Sequence, residues 1–429
     1  MSEFIQINGG KPLSGTVRAS GAKNAALPML MATLLSGEEL ELKNVPNLLD
    51  VDLTIRLLEQ FGAQVSYLGN TIKVKAANLQ AVEASYSLVK ALRASFWVLG
   101  PLVARARVAR VALPGGDAIG NRPVDIHLKG LTQMGADVRL VHGVVYAAAP
   151  KGLKPADIEF SFPSVGATHQ IMMAAALTPG TTVIRNVACE PEIVALASML
   201  RTMGADIEGD GTPTIVVRGR ESLGGGKISI IGDRIEAGTY LLAGIAAGGE
   251  VKVEGIDPNF FGSFLPLLRE MGATVETGPQ MVKVTRKGPI LPISTKTEPF
   301  PGLATDLQAP LLAALTLAHG ESVIEENIFE GRFGHVPELA RMGAQIDIQD
   351  RKAVIKGVPT LSGAPVEATD IRGGAALVVA GLAAEGVTKI HEIDHLRRGY
   401  DRLEAKLKGL GADVSCRPEE IEDLVAIGC

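Results

Sequence analysis

The chain has 429 residues, more than one ordinary core can organise, so two or more domains are expected. Hydrophobic residues make up 46% and charged residues 21%, a globular composition, and three widely spaced cysteines (Cys189, Cys416, Cys429) offer no disulfide framework and no CxxC metal site. A net charge of −5 excludes a general basic footprint for nucleic acid or for an anionic membrane.

The opening segment, MSEFIQINGG, has no basic stretch ahead of an apolar run and does not read as a signal peptide. Apolar runs such as residues 25–35 fall short of the ~18–20 residues that span a bilayer. A reducing, cytoplasmic setting is the expectation. Residues 3–7 predict a strand. From there one phrase recurs six times: LEQFGAQV, LTQMGADV, LRTMGADI, LREMGATV, LARMGAQI and LKGLGADV. Its glycines, Gly62, Gly135, Gly204, Gly272, Gly343 and Gly411, are spaced by 73, 69, 68, 71 and 68 residues. Such self-similarity marks a repeat architecture.

The phrase reads as an amphipathic helix, with apolar residues three and four apart (Leu403, Leu407, Leu410), ending at a glycine C-cap. A hairpin follows. In the first copy Val65 and Tyr67 alternate, Gly69-Asn70 turns the chain, and Ile72 and Val74 return. Each unit also carries an Ala- and Leu-rich helix that is apolar on nearly all sides, near residues 25–35, 95–106, 167–177, 239–247, 309–318 and 375–384. A helix of that kind belongs in a core. The expected fold is α/β, in two domains of three units each, every unit holding two helices and a small sheet. The first domain spans residues 22–231; the second takes residues 1–21 and 232–429.

The segments that lead into the six buried helices concentrate polar residues: SGAKNA, LRASF, PSVGAT, DRIEAGT, TDLQAP and DIRGGAA. They place Lys23, Asn24, Arg93, Ser164, Asp233, Arg234, Glu236, Asp306, Asp370 and Arg372 at helix N-termini. Ordinary capping accounts for Ser and Asp there. Lys23, Arg93 and Arg372 fit capping poorly, because a cation opposes the helix dipole unless an anion arrives, which points to a phosphorylated substrate. Between the second buried helix and the next amphipathic one lies LPGGDAIGNRPVDIH, residues 113–127. Its glycines and Pro114 make it a loop, either a polar surface turn or a mobile active-site lid carrying Asp117 and Arg122.

These stretches, together with LRASFWVLGPLVAR, PSVGATHQIMMAA, GRFGHVPEL and RRGYDRLEAKL, resemble the enolpyruvyl transferase family along the whole chain. The likeness is greatest to the branch that uses UDP-N-acetylglucosamine. It implies two inside-out α/β barrels of three units each, with the active site in the cleft between the domains and the 113–122 loop carried by the first. It implies transfer of the enolpyruvyl group of phosphoenolpyruvate to the sugar 3′-hydroxyl with release of phosphate, the first committed step of peptidoglycan synthesis. By the resemblance, Lys23, Arg122 and Arg398 surround phosphoenolpyruvate, with Arg93 and Arg372 nearby. Asn24 and Asp306 hold the sugar, Asp306 as the base beside the hydroxyl. Arg122, Pro123, Val124, Asp125, Ile126 and Ile328 contact the uridine. Ser164, Val165 and Gly166 cradle the diphosphate, and His127 and Arg332 support these groups from behind. No metal or organic cofactor is implied, and the partners are small molecules rather than nucleic acid or membrane.

The resemblance also marks a departure: where most members carry a cysteine, this chain has Asp117. Both side chains can donate a proton, so a general-acid role is retained if the carboxyl pKa is raised, and insensitivity to the thiol-alkylating epoxide fosfomycin follows. A second departure is Phe162, where some members have a basic residue before the diphosphate cradle. Three other readings remain: the shikimate-phosphate branch, a binding-competent but inactive form, and a non-catalytic or nucleic-acid-acting protein on the same repeat, such as a relative of RNA-end cyclases. The RPVDIH segment weighs against the first, and the set of Lys23, Arg93, Arg122, Asp306, Arg372 and Arg398 against the last.

Overall fold

The computed structural model describes residues 3–114, 119 and 124–419. Six four-stranded sheets are present among them, and each follows one plan. In the first, strand Glu39–Lys43 pairs antiparallel with Thr71–Lys75, which pairs antiparallel with Gln64–Leu68 at the edge. Gly226–Ser229 lies parallel on the other side of Glu39–Lys43. Parallel neighbours need a crossover, and here the fourth strand of each sheet arrives from a different repeat. The sixth sheet shows this most fully. Val387–His391 and Asp413–Pro418 flank the N-terminal strand Glu3–Asn8, which fills the place taken elsewhere by the second hairpin strand.

All six glycines of the recurring phrase take positive φ, between 86° and 107°. In every copy the N–H of the following alanine reaches the carbonyl five residues back, as Ala63 does to Leu58 at 3.0 Å and Ala412 to Leu407 at 3.0 Å. This is the Schellman stop, which satisfies carbonyls that the helix end would otherwise leave unpaired. The amphipathic helix therefore ends where the sequence predicts, and the chain turns straight into the hairpin.

The residues fall into two compact units. The N-terminal unit holds residues 21–114 and 124–231; the C-terminal unit holds residues 3–20, 119 and 232–419. In the C-terminal unit, helices Arg234–Ala247, Thr305–Leu315 and Ile371–Ala383 pack against one another at the centre, with the sheets outside them. In the N-terminal unit the equivalent helices are Lys23–Ala32, Leu99–Ala106 and Val165–Ala176. Their alanines and glycines allow close approach: a Cβ on Gly100 would stand 2.6 Å from the Gln170 carbonyl oxygen. One predicted helix differs. Residues 95–106 form a 3-10 segment, Arg93–Val98, that passes into the α-helix Leu99–Ala106. No helix of the described residues is long and apolar enough to cross a membrane.

Candidate active site

In the C-terminal unit the polar residues gather at the N-termini of the three central helices. Asp306 lies in the first turn of Thr305–Leu315, and both its oxygens are engaged. Oδ2 accepts from Arg372 Nη2 at 2.9 Å and Oδ1 from Arg332 Nη2. The arginine side chains are only 4% exposed and Asp306 is 24% exposed, so the carboxylate sits at the mouth of the cluster with its two cations behind it. Arg372 is the second residue of Ile371–Ala383, whose N-cap Asp370 accepts from the Arg372 and Gly373 amides at 2.9 and 3.1 Å. Burial works against the charge on Arg372, but Asp306, Tyr400 and Asp233 outweigh it and hold the guanidinium above its ordinary pKa. The cluster therefore presents a fixed cation, which is what stabilises developing negative charge.

Asp233 caps the third helix, accepting from the amides of Ile235 and Glu236 at 2.8 and 3.0 Å. Burial pushes the Glu236 carboxyl up to about 7 against the pull of Lys406. Glu326, fully buried, is a tie the sequence did not suggest. Oε1 accepts from the Ile328 and Phe329 amides at 2.8 and 3.0 Å, and Oε2 from the Thr305 hydroxyl at 2.9 Å. It fixes the loop carrying Ile328 to the helix carrying Asp306. Arg332 lies against the Phe329 ring, 5.5 Å from its centroid. His335 is buried beside Gly373, and that burial lowers its pKa to about 4. Arg398 ends the short helix Asp394–Arg397, in the segment that leads to Tyr400.

In the N-terminal unit, Lys23 opens helix Lys23–Ala32 and Asn24 follows it, half-buried. The Lys23 ammonium meets Asp50 at 2.6 Å, with side chains 10% and 2% exposed. Arg93 opens the 3-10 segment. Ser164 caps Val165–Ala176, its hydroxyl accepting from the Ala167 amide at 3.3 Å. Gly166 is required by packing, since a Cβ there would fall 2.6 Å from Trp97 Nε1 and 3.1 Å from His127 Cε1. His127 is tied to Gln170 at 2.9 Å and meets the Phe96 ring edge-on. Trp97 packs on His169, whose pKa burial lowers to about 3. Val124 precedes helix Asp125–Gln133, with Asp125 exposed and Ile126 half-buried. Phe162 is 43% exposed, and its carbonyl accepts the Ser164 amide at 2.7 Å. Asp117, Arg122 and Pro123 lie outside the described residues.

A cation at a helix N-terminus was expected to wait for a substrate anion, but Asp50 already serves Lys23, and Asp306 serves Arg372. A phosphate is therefore not required to explain those two positions.

The family model for EPSP synthase (3-phosphoshikimate 1-carboxyvinyltransferase) matches residues 7–407. The chain belongs to the EPSP synthase family. Within it, the UDP-N-acetylglucosamine 1-carboxyvinyltransferase of Trichlorobacter lovleyi is 49% identical over 410 residues, 95% of this chain and 97% of that protein. The protein of the same name from Geobacter metallireducens is 50% identical over 95% of this chain and 98% of its own length. Among solved structures, the enolpyruvyl transferase NikO from Streptomyces tendae superposes with a TM-score of 0.86 at 28% identity, covering 98% and 100% of the two chains. EPSP synthase from Acinetobacter baumannii, at 18% identity and a TM-score of 0.74, shares the fold.

Of the family site residues expected from sequence, Asp306, Arg332 and Arg372 make one hydrogen-bonded cluster. Lys23 is brought to Asp50 instead, and Ser164, Val165 and Gly166 to the start of their helix. Asp50, Glu326, His169 and His335, buried beside these positions, are not among the residues the sequence singles out. Asp50 lies 27 residues from Lys23 and Glu326 lies 21 from Thr305 in the chain, so no local spacing exposes either tie.

Proposed function

We propose that the chain transfers the enolpyruvyl group of phosphoenolpyruvate to the 3′-hydroxyl of UDP-N-acetylglucosamine, releasing inorganic phosphate, in the cytoplasm and at the committed step of peptidoglycan synthesis. The observation that carries this reading is near-half identity, over almost the full length of both chains, with proteins named for that reaction. The geometry supports it: Asp306 is an exposed-edge carboxylate backed by two buried guanidinium groups.

In this reading Asp306 takes the proton of the sugar hydroxyl as its oxygen adds to C2 of phosphoenolpyruvate, while Asp117 protonates C3. The tetrahedral adduct then loses phosphate, and a proton leaves C3 to restore the double bond. Lys23, Arg93, Arg122, Arg372 and Arg398 hold the phosphate and carboxylate, and fixed cations aimed at such charge supply the largest catalytic term. Asn24 orients the sugar. Arg122, Pro123, Val124, Asp125, Ile126 and Ile328 take the uridine, and Ser164, Val165 and Gly166 take the diphosphate at a helix N-terminus. Arg332 keeps Asp306 in place.

The test is phosphate release from phosphoenolpyruvate across pH 5 to 9 with each acceptor in turn. Release that depends on UDP-N-acetylglucosamine is expected. Release with shikimate 3-phosphate alone moves the chain to the other branch, and no release with either acceptor leaves a binding protein. The rate is expected to fall as pH rises, as a protonated Asp117 requires. A carboxylate is a poor nucleophile toward an epoxide, so fosfomycin is expected to leave the activity intact; a stable one-to-one adduct on Asp117, seen by mass spectrometry, would refute this. Trp97, the single tryptophan, lies against Gly166, so UDP-N-acetylglucosamine is expected to change its emission.

A further inference from the structure

Four polar residues of the C-terminal unit, buried or half-buried, form a chain that none of the roles above uses. Glu236 is 1% and Lys406 11% exposed at the side chain, and their charged atoms meet at 2.5 Å. The Lys406 ammonium also donates to the Ser20 hydroxyl at 2.6 Å. That hydroxyl donates in turn to Asp401 Oδ2 at 3.0 Å. The direction is forced: an ammonium has donors only, so the Ser20 oxygen accepts from it and its own proton is left for Asp401. The Ser20 amide donates to Glu236 Oε2 at 2.7 Å, and its carbonyl accepts the Asp233 amide at 2.8 Å. Every polar group of Ser20 is thus engaged, at the last residue before the chain leaves this unit.

Asp401 stands three residues after Arg398. The segment between them is held at Tyr400 too, whose hydroxyl pairs with Thr239 at 3.0 Å and whose ring lies under the Arg372 guanidinium, 5.6 Å from its centroid. Gly399 passes so close to the helix Ile371–Ala383 that a Cβ would stand 2.4 Å from Ile371 Cγ2. Tyr400 and Gly399 fix the middle of the segment; at its far end Asp401 accepts from the Ser20 hydroxyl and lies 3.4 Å from Arg402 Nε, and the Arg402 carbonyl accepts the Lys406 amide at 3.1 Å.

We propose that Ser20 and Lys406 are positioning residues for Arg398: the ammonium orients the Ser20 hydroxyl, which anchors Asp401 and with it the 398–402 segment. The proposal rests on the reading of Arg398 as a cation for phosphoenolpyruvate. A buried ion pair adds little net stability compared with an apolar pair of the same volume, so direction is the property that the Glu236–Lys406 pair supplies here.

The test compares Ser20→Ala, Lys406→Met and Lys406→Arg with the unaltered chain, by initial rates with each substrate varied in turn and by amide hydrogen exchange. Ser20→Ala keeps the Glu236–Lys406 pair and the backbone bonds and removes both hydroxyl bonds, the one accepted from Lys406 and the one donated to Asp401. Loss of this hydroxyl link predicts a KM for phosphoenolpyruvate raised about five- to tenfold, with the KM for UDP-N-acetylglucosamine within about twofold. Exchange at residues 398–402 is expected to quicken, with the helix Arg234–Ala247 unchanged. Lys406→Met is expected to show the same split and Lys406→Arg to restore most of it. Both KM values moving together, no change in either, or loosened 398–402 amides with an unchanged KM for phosphoenolpyruvate would each overturn the proposal. If the unaltered chain transfers nothing, the functional reading fails by itself, and unchanged exchange in Ser20→Ala would still refute the anchor.

Discussion

Asp50 and Lys23 stand 2.6 Å apart with almost no exposure, and removing either takes a close ion-pair contact from a buried charge. Such a break typically costs about 3–5 kcal/mol, far more than the intact pair contributes. Asp50→Ala is therefore expected to lower the melting temperature strongly, whereas Lys23→Met with Asp50→Leu should recover much of the loss; thermal unfolding of the three proteins decides it. Gly166 is a second sharp case. Gly166→Ala must displace Trp97 or His127, because its Cβ would stand 2.6 Å from the indole nitrogen. The expected outcome is altered tryptophan emission and weaker UDP-N-acetylglucosamine binding, with phosphoenolpyruvate binding little changed, as titration of each ligand would show. Lys23, Asp306 and Arg372 were legible from their places at helix starts. Their pairings were not, because Lys23 meets Asp50, and Asp306 meets Arg332 and Arg372, only after the chain folds back.

The helices and hairpins owe their limits to local chemistry. Gly204 has a φ of 107° and open space around a would-be Cβ, so Gly204→Ala isolates the backbone strain from any clash. A left-handed conformation costs an L-residue about 1–2 kcal/mol, so a fall of a few degrees in melting temperature is expected. A shift near zero would mean that the helix end relaxes without the Schellman stop. All six stops were readable because a C-cap glycine and the residues around it are adjacent in sequence. The break at Val98 was less so. Arg93–Val98 is 3-10 and Leu99–Ala106 is α, yet both present the same apolar surface, and composition does not distinguish the two hydrogen-bond patterns.

Each unit carries a buried histidine whose pKa burial lowers, His169 to about 3 and His335 to about 4. Both folded values lie below the unfolded value of about 6.5, so this stabilisation is full above that pH and is lost as pH falls through it. By pH 5 the loss is about 2 kcal/mol for each histidine. Glu236, raised to about 7, runs the other way: its contribution is full below the unfolded carboxyl range and fades as pH rises toward neutrality. Comparison of variants separates the two trends. His335→Gln is expected to melt lower than the unaltered chain at pH 7 but to lose less between pH 7 and pH 5. An unchanged pH slope would mean that His335 titrates normally in the folded chain.

The repeat, the six helix stops, the buried helices and the polar residues at their starts were all present in the linear chain, because each depends on neighbours within about one or two helical turns. The partners of those polar residues came only with the tertiary structure. Lys23 finds Asp50, Asp306 gathers Arg332 and Arg372, and Lys406 reaches back 386 residues to Ser20. The last sheet closes in the same way, with Glu3–Asn8 between strands from the far end of the chain. Periodicity records which side of an element is buried. It does not record which distant charge will lie against it, since that depends on how the repeats within each unit pack.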